Sequence, residues 1–210
     1  MSGKRIFDLL FTLPGVIVLL PVFLIIALWI KLDSRGPVFF RQVRVGQYGK
    51  PFKIFKFRTM IVDAESHGTQ ITVGQDKRIT RIGEILRKYK LDELPQLFNI
   101  ILGDMSLVGP RPEVPRYMNE YPDDIRQITL SVKPGITDLA SITFKDENAM
   151  LGKSTCPEQT YIREILPVKQ KYYVQYVTNR SIIFDIVIIA KTFSAILFRD
   201  GAKNNSRNIF

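Results

Sequence analysis

Asp92 and Glu93 are adjacent carboxylates in Leu91-Asp92-Glu93-Leu94-Pro95-Gln96, just ahead of a segment whose apolar residues Leu94, Leu97, Phe98 and Ile101 recur at helical spacing. Gly103 and Asp104 end that segment, and a stiff Gly109-Pro110-Arg111-Pro112 turn brings an arginine back. An acidic pair at a helix start is helped by the positive end of the backbone dipole, which also keeps a carboxylate ionised. The competing reading is that Asp92 is only an N-cap. Chemistry elsewhere is restricted by what the chain lacks. A single cysteine, Cys156, excludes an internal disulfide and a cysteine-based zinc site. A single histidine, His67, excludes a two-histidine metal site and speaks against a His-centred triad. Any chemistry falls to carboxylates and cations.

The elements that must hold these groups can be traced outward. Thr80 to Lys90 is amphipathic, with Ile82, Ile85, Leu86 and Tyr89 apolar and Arg81, Arg87, Lys88 and Lys90 cationic. Such a helix either lies in a membrane interface or packs on a core. Val38–Val45 and Phe52–Phe57 are β-prone runs around Gly46-Gln47-Tyr48-Gly49-Lys50-Pro51, which is a hairpin signal. Arg41, Arg44, Lys53, Lys56 and Arg58 interleave with its aromatics. That pattern suits nucleic acid, but a solvated cationic face near anionic lipid is the preferred reading. Residues 63–78 read as a polar loop over a site.

Ile6 to Ile30 is almost wholly apolar, longer than the roughly 20 residues a helix needs to cross a bilayer. Length alone favours a single crossing. Pro14 and Pro21 each remove a backbone donor, and Asp8 sits near the start. Both flanks are basic: Lys4 and Arg5 before, Lys31, Arg35, Arg41 and Arg44 after. The positive-inside tendency then places both ends on the cytoplasmic side, and a re-entrant hairpin bent near Pro21 satisfies both. With 210 residues, the chain holds one compact domain with an appended segment. A net charge of +10 and a pI near 9.7 point to anionic partners.

Taken together, Lys4-Arg5-x-x-Asp8, a proline-broken membrane helix, Arg44-x-Gly46-x-x-Gly49-Lys50, Lys56-Phe57-Arg58-Thr59-Met60, Leu91-Asp92-Glu93-Leu94-Pro95-Gln96, Gly103-Asp104-Met105-Ser106 with Gly109-Pro110-Arg111-Pro112, and Lys133-Pro134-Gly135-Ile136-Thr137 occur in order. In this the chain resembles the bacterial sugar transferases called monotopic phosphoglycosyl transferases. The resemblance implies that a nucleoside-diphosphate sugar, usually a UDP-sugar, gives its phosphosugar to a polyprenyl (undecaprenyl) phosphate in a ping-pong reaction that starts lipid-linked glycan assembly. It implies Asp92 as the nucleophile that forms an acyl-phosphate, and Glu93 as a ligand of Mg²⁺ on the diphosphate. The implied setting is the cytoplasmic face of the bacterial inner membrane.

Physical chemistry is consistent with that picture. A carboxylate is a weak nucleophile, and an anionic diphosphate repels it, so a metal and cations must neutralise developing charge. Mg²⁺ takes only one or two carboxylates and leaves the rest of its shell to water and phosphate. Arg111 has the planar donor fork suited to phosphate, and flanking prolines favour its prior positioning. Lys56, Arg58, Arg87 and Lys133 are further phosphate-binding candidates, and Arg111 has a structural alternative in pairing with Asp104 or Glu113.

The chain departs from the family around Asp138 and Ser141, where Gly and Ala-Gln are usual, and at Leu20-Pro21, where Ser-Pro is common. The first departure bears on the sugar or nucleotide pocket. Asn179-x-Ser181-x-x-x-Asp185 matches a family signature, with Asp185 either an acid near the metal or an ordinary helix charge. Pro167 breaks the polar stretch Tyr161 to Val177, and Ile182 to Phe198 reads as an interfacial or core helix.

The expected fold is α+β and mainly helical: a proline-broken re-entrant membrane helix (1–32), a catalytic domain (33–200) with a small β-hairpin and interfacial amphipathic helices around a carboxylate active site, and a flexible tail (201–210). The expected partners are the sugar nucleotide, polyprenyl phosphate and anionic membrane lipid, without nucleic acid; a homodimer is compatible with the sequence. Two other readings compete: a carboxylate-dependent membrane phosphohydrolase, and a basic membrane-anchored binding module.

Overall fold

Helix α1 takes up Gly3–Asp33 and carries Pro14 and Pro21 inside it. It belongs to a computed structural model that describes residues 3–64, 71–74, 76–144 and 146–197. His67 and the tail beyond 200 lie outside the described residues. By length and composition α1 can cross a membrane. Its helical hydrogen-bonded conformation runs through both prolines. A proline inside a helix removes one donor and tilts the axis, and flanking turns continue the ladder.

Both ends of α1 dock on the same body. Near its start Lys4 pairs with Asp185 at 2.7 Å, and Arg5 donates to the carbonyls of Ile100 and Ile101. Asp8, buried, accepts from Ser106 Oγ at 3.0 Å and from the Leu107 amide at 3.2 Å. Near its end Phe23 meets Phe57 and Phe98 edge-on, and Ile26 and Ile30 are buried with Leu86. Between these two footholds Leu13, Ile17, Val18 and Leu20 stand exposed.

Strands β1 (Phe39–Val45) and β2 (Pro51–Phe57) form the expected antiparallel hairpin, with Phe39 opposite Phe57 and Val45 opposite Pro51. Its turn needs positive φ at Tyr48 and Gly49. Helix α2 (Arg81–Lys88) is capped by Thr80, whose hydroxyl accepts from the Gly83 amide at 3.0 Å. Gly83 presses on Thr59 so closely that a Cβ there would lie 2.1 Å from the Thr59 carbonyl oxygen. Leu91–Glu93 make a single 3₁₀ turn, and α3 (Gln96–Leu102) follows, closed by Gly103 in the left-handed region at φ 96°.

Strand β3 (Ser106–Val108) pairs in parallel with β4 (Gly135–Thr137). Helices α4 (Pro115–Met118) and α5 (Asp123–Leu130) lie between them in sequence; α6 (Leu139–Thr143), α7 (Glu147–Leu151) and α8 (Pro157–Thr160) follow β4. A π turn, Tyr161–Ile165, leads from α8 into α9 (Leu166–Asn179). Pro167 stands in the first turn of α9, where its missing donor is harmless, so the helix does not break there as expected. Helix α10 (Ile182–Leu197) buries Ile188 and exposes Ile183, Ile186 and Phe193.

The core has two main parts. Val114, Tyr117, Tyr161, Leu166 and Tyr173 form one among the later helices; Phe23, Ile26, Ile30, Phe57 and Leu86 form the other beneath α1. The fold is therefore mainly helical with two small strand pairs, and Phe23 of α1, Phe57 of the hairpin and Leu91 of the carboxylate turn meet in one cluster.

Candidate active site

Asp92 and Glu93 line a large cleft of about 1890 Å³, together with Lys56, Arg44, Arg87 and Arg111. Lys56 comes from β2, Arg87 from the last turn of α2, and Arg111 from the turn after β3. That turn is held against β4 by backbone bonds. The Gly109 amide donates to the Thr137 carbonyl at 3.1 Å, and the Gly135 amide donates to the Pro110 carbonyl at 2.9 Å. Gly109 and Gly135 meet backbone to backbone, and a Cβ on Gly135 would lie 2.1 Å from the Gly109 nitrogen. The glycines of two sequence motifs thus permit one close contact that presents Arg111.

Glu93 sits between two cations. Lys56 Nζ is 2.8 Å from its Oε1, Arg111 Nη2 reaches the same oxygen, and Arg111 Nη1 donates to Oε2 at 3.2 Å. Burial works against the Glu93 charge, but Arg111 and Lys56 outweigh it and hold the carboxyl well below its usual range. Glu93 in turn raises Arg111 well above its ordinary value. Burial lowers Lys56, and Glu93 opposes that fall.

Asp92 is in the opposite position. It is buried, and among the described residues its Oδ1 has no hydrogen-bond partner. Burial pushes its carboxyl above the ordinary value; Lys56 pulls it back, Glu93 adds to the rise, and Arg87 and Lys90 counter it. It caps nothing, since α3 begins only at Gln96 and Pro95 stands at the cap. The N-cap reading is corrected. An unsatisfied buried acceptor costs free energy on the order of 1–3 kcal/mol, so this oxygen is free to accept from or bind to a group entering the cleft.

Arg87 is held by two hydroxyls: its Nε donates to Thr59 Oγ1 at 2.8 Å and its Nη1 to Thr72 Oγ1 at 2.9 Å. Arg44 was not singled out from the sequence as a site residue, although it opens one of the motifs. It lies behind Arg111, donates to the Pro112 carbonyl at 3.0 Å and to Gln42 Oε1 at 2.6 Å, and so ties the Arg111 turn to β1. Lys169 and Glu147, 2.5 Å apart, also line the cleft; no sequence pattern pointed to them.

Three expected residues go elsewhere. Arg58 borders the cleft, but its guanidinium donates to the carbonyls of Ser34 and Arg35 and to Ser34 Oγ, clamping the exit of α1. Lys133 stands beside Gly103, at the end of α3 away from the carboxylates. Asp185 does not line the cleft: it accepts from Lys4 and, at 2.8 Å, from the Tyr176 hydroxyl. Arg58 and Asp185 are thus engaged by other groups of the fold, and Lys133 stands apart from the carboxylate pair. Arg111 pairs with neither Asp104 nor Glu113; the Tyr161 hydroxyl donates to Glu113 at 2.9 Å. Asp138 is buried and caps α6 by accepting from the Ser141 amide at 2.9 Å, while Ser141 borders the cleft.

The donor set suits a magnesium ion carried by a phosphate and no closed metal cage. Among the described residues no group of three or more His, Cys, Asp or Glu could hold a metal. Among the described residues Asp92 Oδ1 is an orphaned acceptor, and Glu93 Oε2 accepts from Arg111 Nη1 alone, which leaves one lone pair. Two such oxygens meet the modest carboxylate demand of Mg²⁺.

Comparison with known proteins places this geometry in a family. A bacterial sugar transferase family model matches residues 1–199. The chain is 37% identical over 205 residues to the UDP-N-acetylgalactosamine-undecaprenyl-phosphate N-acetylgalactosaminephosphotransferase of Aeromonas hydrophila, covering 95% of this chain and 45% of that protein. It is 38% identical over 192 residues to the UDP-glucose:undecaprenyl-phosphate glucose-1-phosphate transferase of Escherichia coli (strain K12), covering 90% of this chain and 39% of that one. The exopolysaccharide production protein PSS of Rhizobium leguminosarum bv. phaseoli is 38% identical over 211 residues, covering 93% of this chain and 96% of that protein. The chain therefore spans less than half the length of the first two relatives and nearly all of the third. It belongs to the bacterial sugar transferase family.

Proposed function

We propose that this chain moves a phosphosugar from a nucleoside-diphosphate sugar, a UDP-sugar by the names of two relatives, to undecaprenyl or a related polyprenyl phosphate. The observation that carries the reading is Asp92: a buried carboxylate with an unpartnered oxygen, on the wall of a cleft lined by Lys56, Arg87 and Arg111.

In the first step a carboxylate oxygen of Asp92 attacks the phosphorus that bears the sugar. The bond from that phosphorus to the bridging diphosphate oxygen breaks, and the electron pair leaves with the nucleoside monophosphate. In the second step a phosphate oxygen of the polyprenyl phosphate attacks the same phosphorus, and the Asp92 carboxylate is released. Arg111 and Lys56, pre-positioned by Glu93, face the equatorial and leaving oxygens; charge stabilisation by such fixed cations is worth roughly 3–4 kcal/mol per group in comparable sites. Asp92 and Glu93 would hold Mg²⁺, which when bound supplies further neutralisation of the diphosphate. Arg87, tethered by Thr59 and Thr72, opposes burial of the Asp92 charge and so keeps more of it in the reactive form.

The membrane side of the reading rests on α1. Its two ends are tied to one body while the middle exposes Leu13, Ile17, Val18 and Leu20, which fits a helix that enters a bilayer and returns to the cytoplasmic face. An amphiphilic acceptor, anionic at its head, is met by a cleft whose walls pass from cations to Phe7, Phe11, Leu97 and Phe193.

The test is to incubate the protein with radiolabelled sugar nucleotides, Mg²⁺ and polyprenyl phosphate. Label in the lipid and release of nucleoside monophosphate are expected. Free sugar phosphate formed without lipid would instead indicate hydrolysis, and no turnover with any donor would end the proposal.

A further inference from the structure

Asn99 lies in the middle of α3 and is wholly buried, yet it contacts none of the cleft's charged groups. Its Oδ1 accepts from the Phe55 amide at 2.8 Å, and its Nδ2 donates to the Lys53 carbonyl at 3.0 Å. A second Nδ2 bond reaches Asp104 Oδ2 at 3.2 Å. Phe55 and Lys53 are two apart in β2, opposite Arg41 and Val43 of β1. In an antiparallel ladder residues two apart send their peptide groups to the same edge. Here that edge is the one turned towards α3, and the Asn99 amide satisfies it as the peptide of a third strand would.

Packing alone does not set this register. Ile54 is buried with Ile100 and Met105, flanked by Phe52 and Leu97, but apolar contact is non-directional and tolerates sliding. The amide bonds do not. Lys56 follows Phe55 directly, and its Nζ sits 2.8 Å from Glu93 Oε1. Asn99 also closes its own helix, since its carbonyl accepts from the Gly103 and Asp104 amides at 3.0 Å and 2.9 Å.

We infer that Asn99 is a positioning residue, which locks β2 to α3 so that Lys56 meets Glu93 and the phosphate beyond it. The inference rests on the transferase reading for its consequence, though not for its geometry.

A double-mutant comparison tests it. Asn99→Ala is expected to lower kcat/KM at least about tenfold in the otherwise unaltered protein, and by less than about threefold when Lys56→Met is already present, because the two act through one group. A purely structural role would give the same fold-loss in both backgrounds and would overturn the inference, as would no loss at all. If the alanine variant does not fold, Asn99→Ser carries the same comparison. A readout without substrate separates this from the transferase reading: acetic anhydride labelling of Lys56, followed by mass spectrometry, should rise at least about threefold in Asn99→Ala, since a buried, paired amine is shielded. Unchanged Lys56 labelling defeats the assignment. Raised labelling in a protein that transfers nothing leaves Asn99 in place and defeats the transferase reading alone.

Discussion

Arg111 grips Glu93 with both arms of its guanidinium, Nη1 to Oε2 at 3.2 Å and Nη2 to Oε1. Removing Arg111 takes two charged hydrogen bonds from the buried Glu93 carboxylate and leaves it paired with Lys56. Arg111→Ala is expected to destabilise the fold by about 2 kcal/mol, a charged hydrogen-bond pair lost less what water recovers. It should also lower kcat/KM by about 10²–10³-fold, the usual cost of losing one fixed charge donor. Chemical denaturation and steady-state kinetics on the same preparation read the two effects.

Asp92→Asn should abolish turnover and raise stability together. Burial holds the folded-state pKa of Asp92 above its unfolded value, so the folded chain binds that proton more tightly than the unfolded chain. Stability therefore falls as pH rises through that window, and the ionised group is a burden at neutral pH. The amide carries no such charge. A rise in thermal midpoint of about 2–4 °C is expected, which for a domain of this size corresponds to about 1 kcal/mol. Near-normal turnover, or a lower midpoint, would count against the assignment.

Rate against pH should show an acid limb displaced upward. In the proposed mechanism only the ionised Asp92 attacks, and burial lifts its pKa above the ordinary carboxylate value of about 3.9. Single-turnover rates, with product release removed, should fall with decreasing pH before that ordinary value is reached. Glu93 behaves oppositely: held low by Arg111 and Lys56, it lends stability above its unfolded pKa and loses it only as pH drops through its depressed folded value.

Asp185→Asn separates a structural acid from a metal ligand. Asp185 is buried and accepts from Lys4 and Tyr176. The substitution should lower the thermal midpoint by several degrees, in line with about 1.5–3 kcal/mol for a charged hydrogen bond. The Mg²⁺ concentration for half-maximal rate should stay put; an increase would return Asp185 to the metal.

The topology of α1 is open to chemical labelling. With Cys156 replaced by serine, single cysteines at Ser2 and at Arg35 should both resist a membrane-impermeant maleimide applied outside intact cells, and both should react after lysis. Reaction of one from outside would mean that α1 crosses the membrane.

Local signals in the sequence carried a good part of this. The hairpin, the amphipathic helix before the carboxylates and the Gly103 stop follow from residue type at short range, and the structure agrees with them. Lys56, Arg87 and Arg111 stand with Asp92 and Glu93 because motifs close in space were also strong in sequence. What stayed hidden was decided at long range. Lys4 and Asp185 are paired across most of the chain, and Arg58 is taken by the exit of α1. Neither destination has a local signature, so a cation or an acid in a motif could not be told from one spent on packing. Asn99 left no trace because a buried amide inside an apolar run reads as a blemish in the period.

Lys4 and Asp8 open α1, yet their partners, Asp185, Ser106 and Leu107, come far later in the chain. On the ribosome the apolar helix is made first: Lys4 can meet Asp8 one turn on, at 3.7 Å, but its contact with Asp185 must wait until α10 has been synthesised. Docking of its first turn is then among the last events of folding, and truncations within α10 should leave the greasy N-terminal segment synthesised but unseated, a natural target for membrane quality-control proteases.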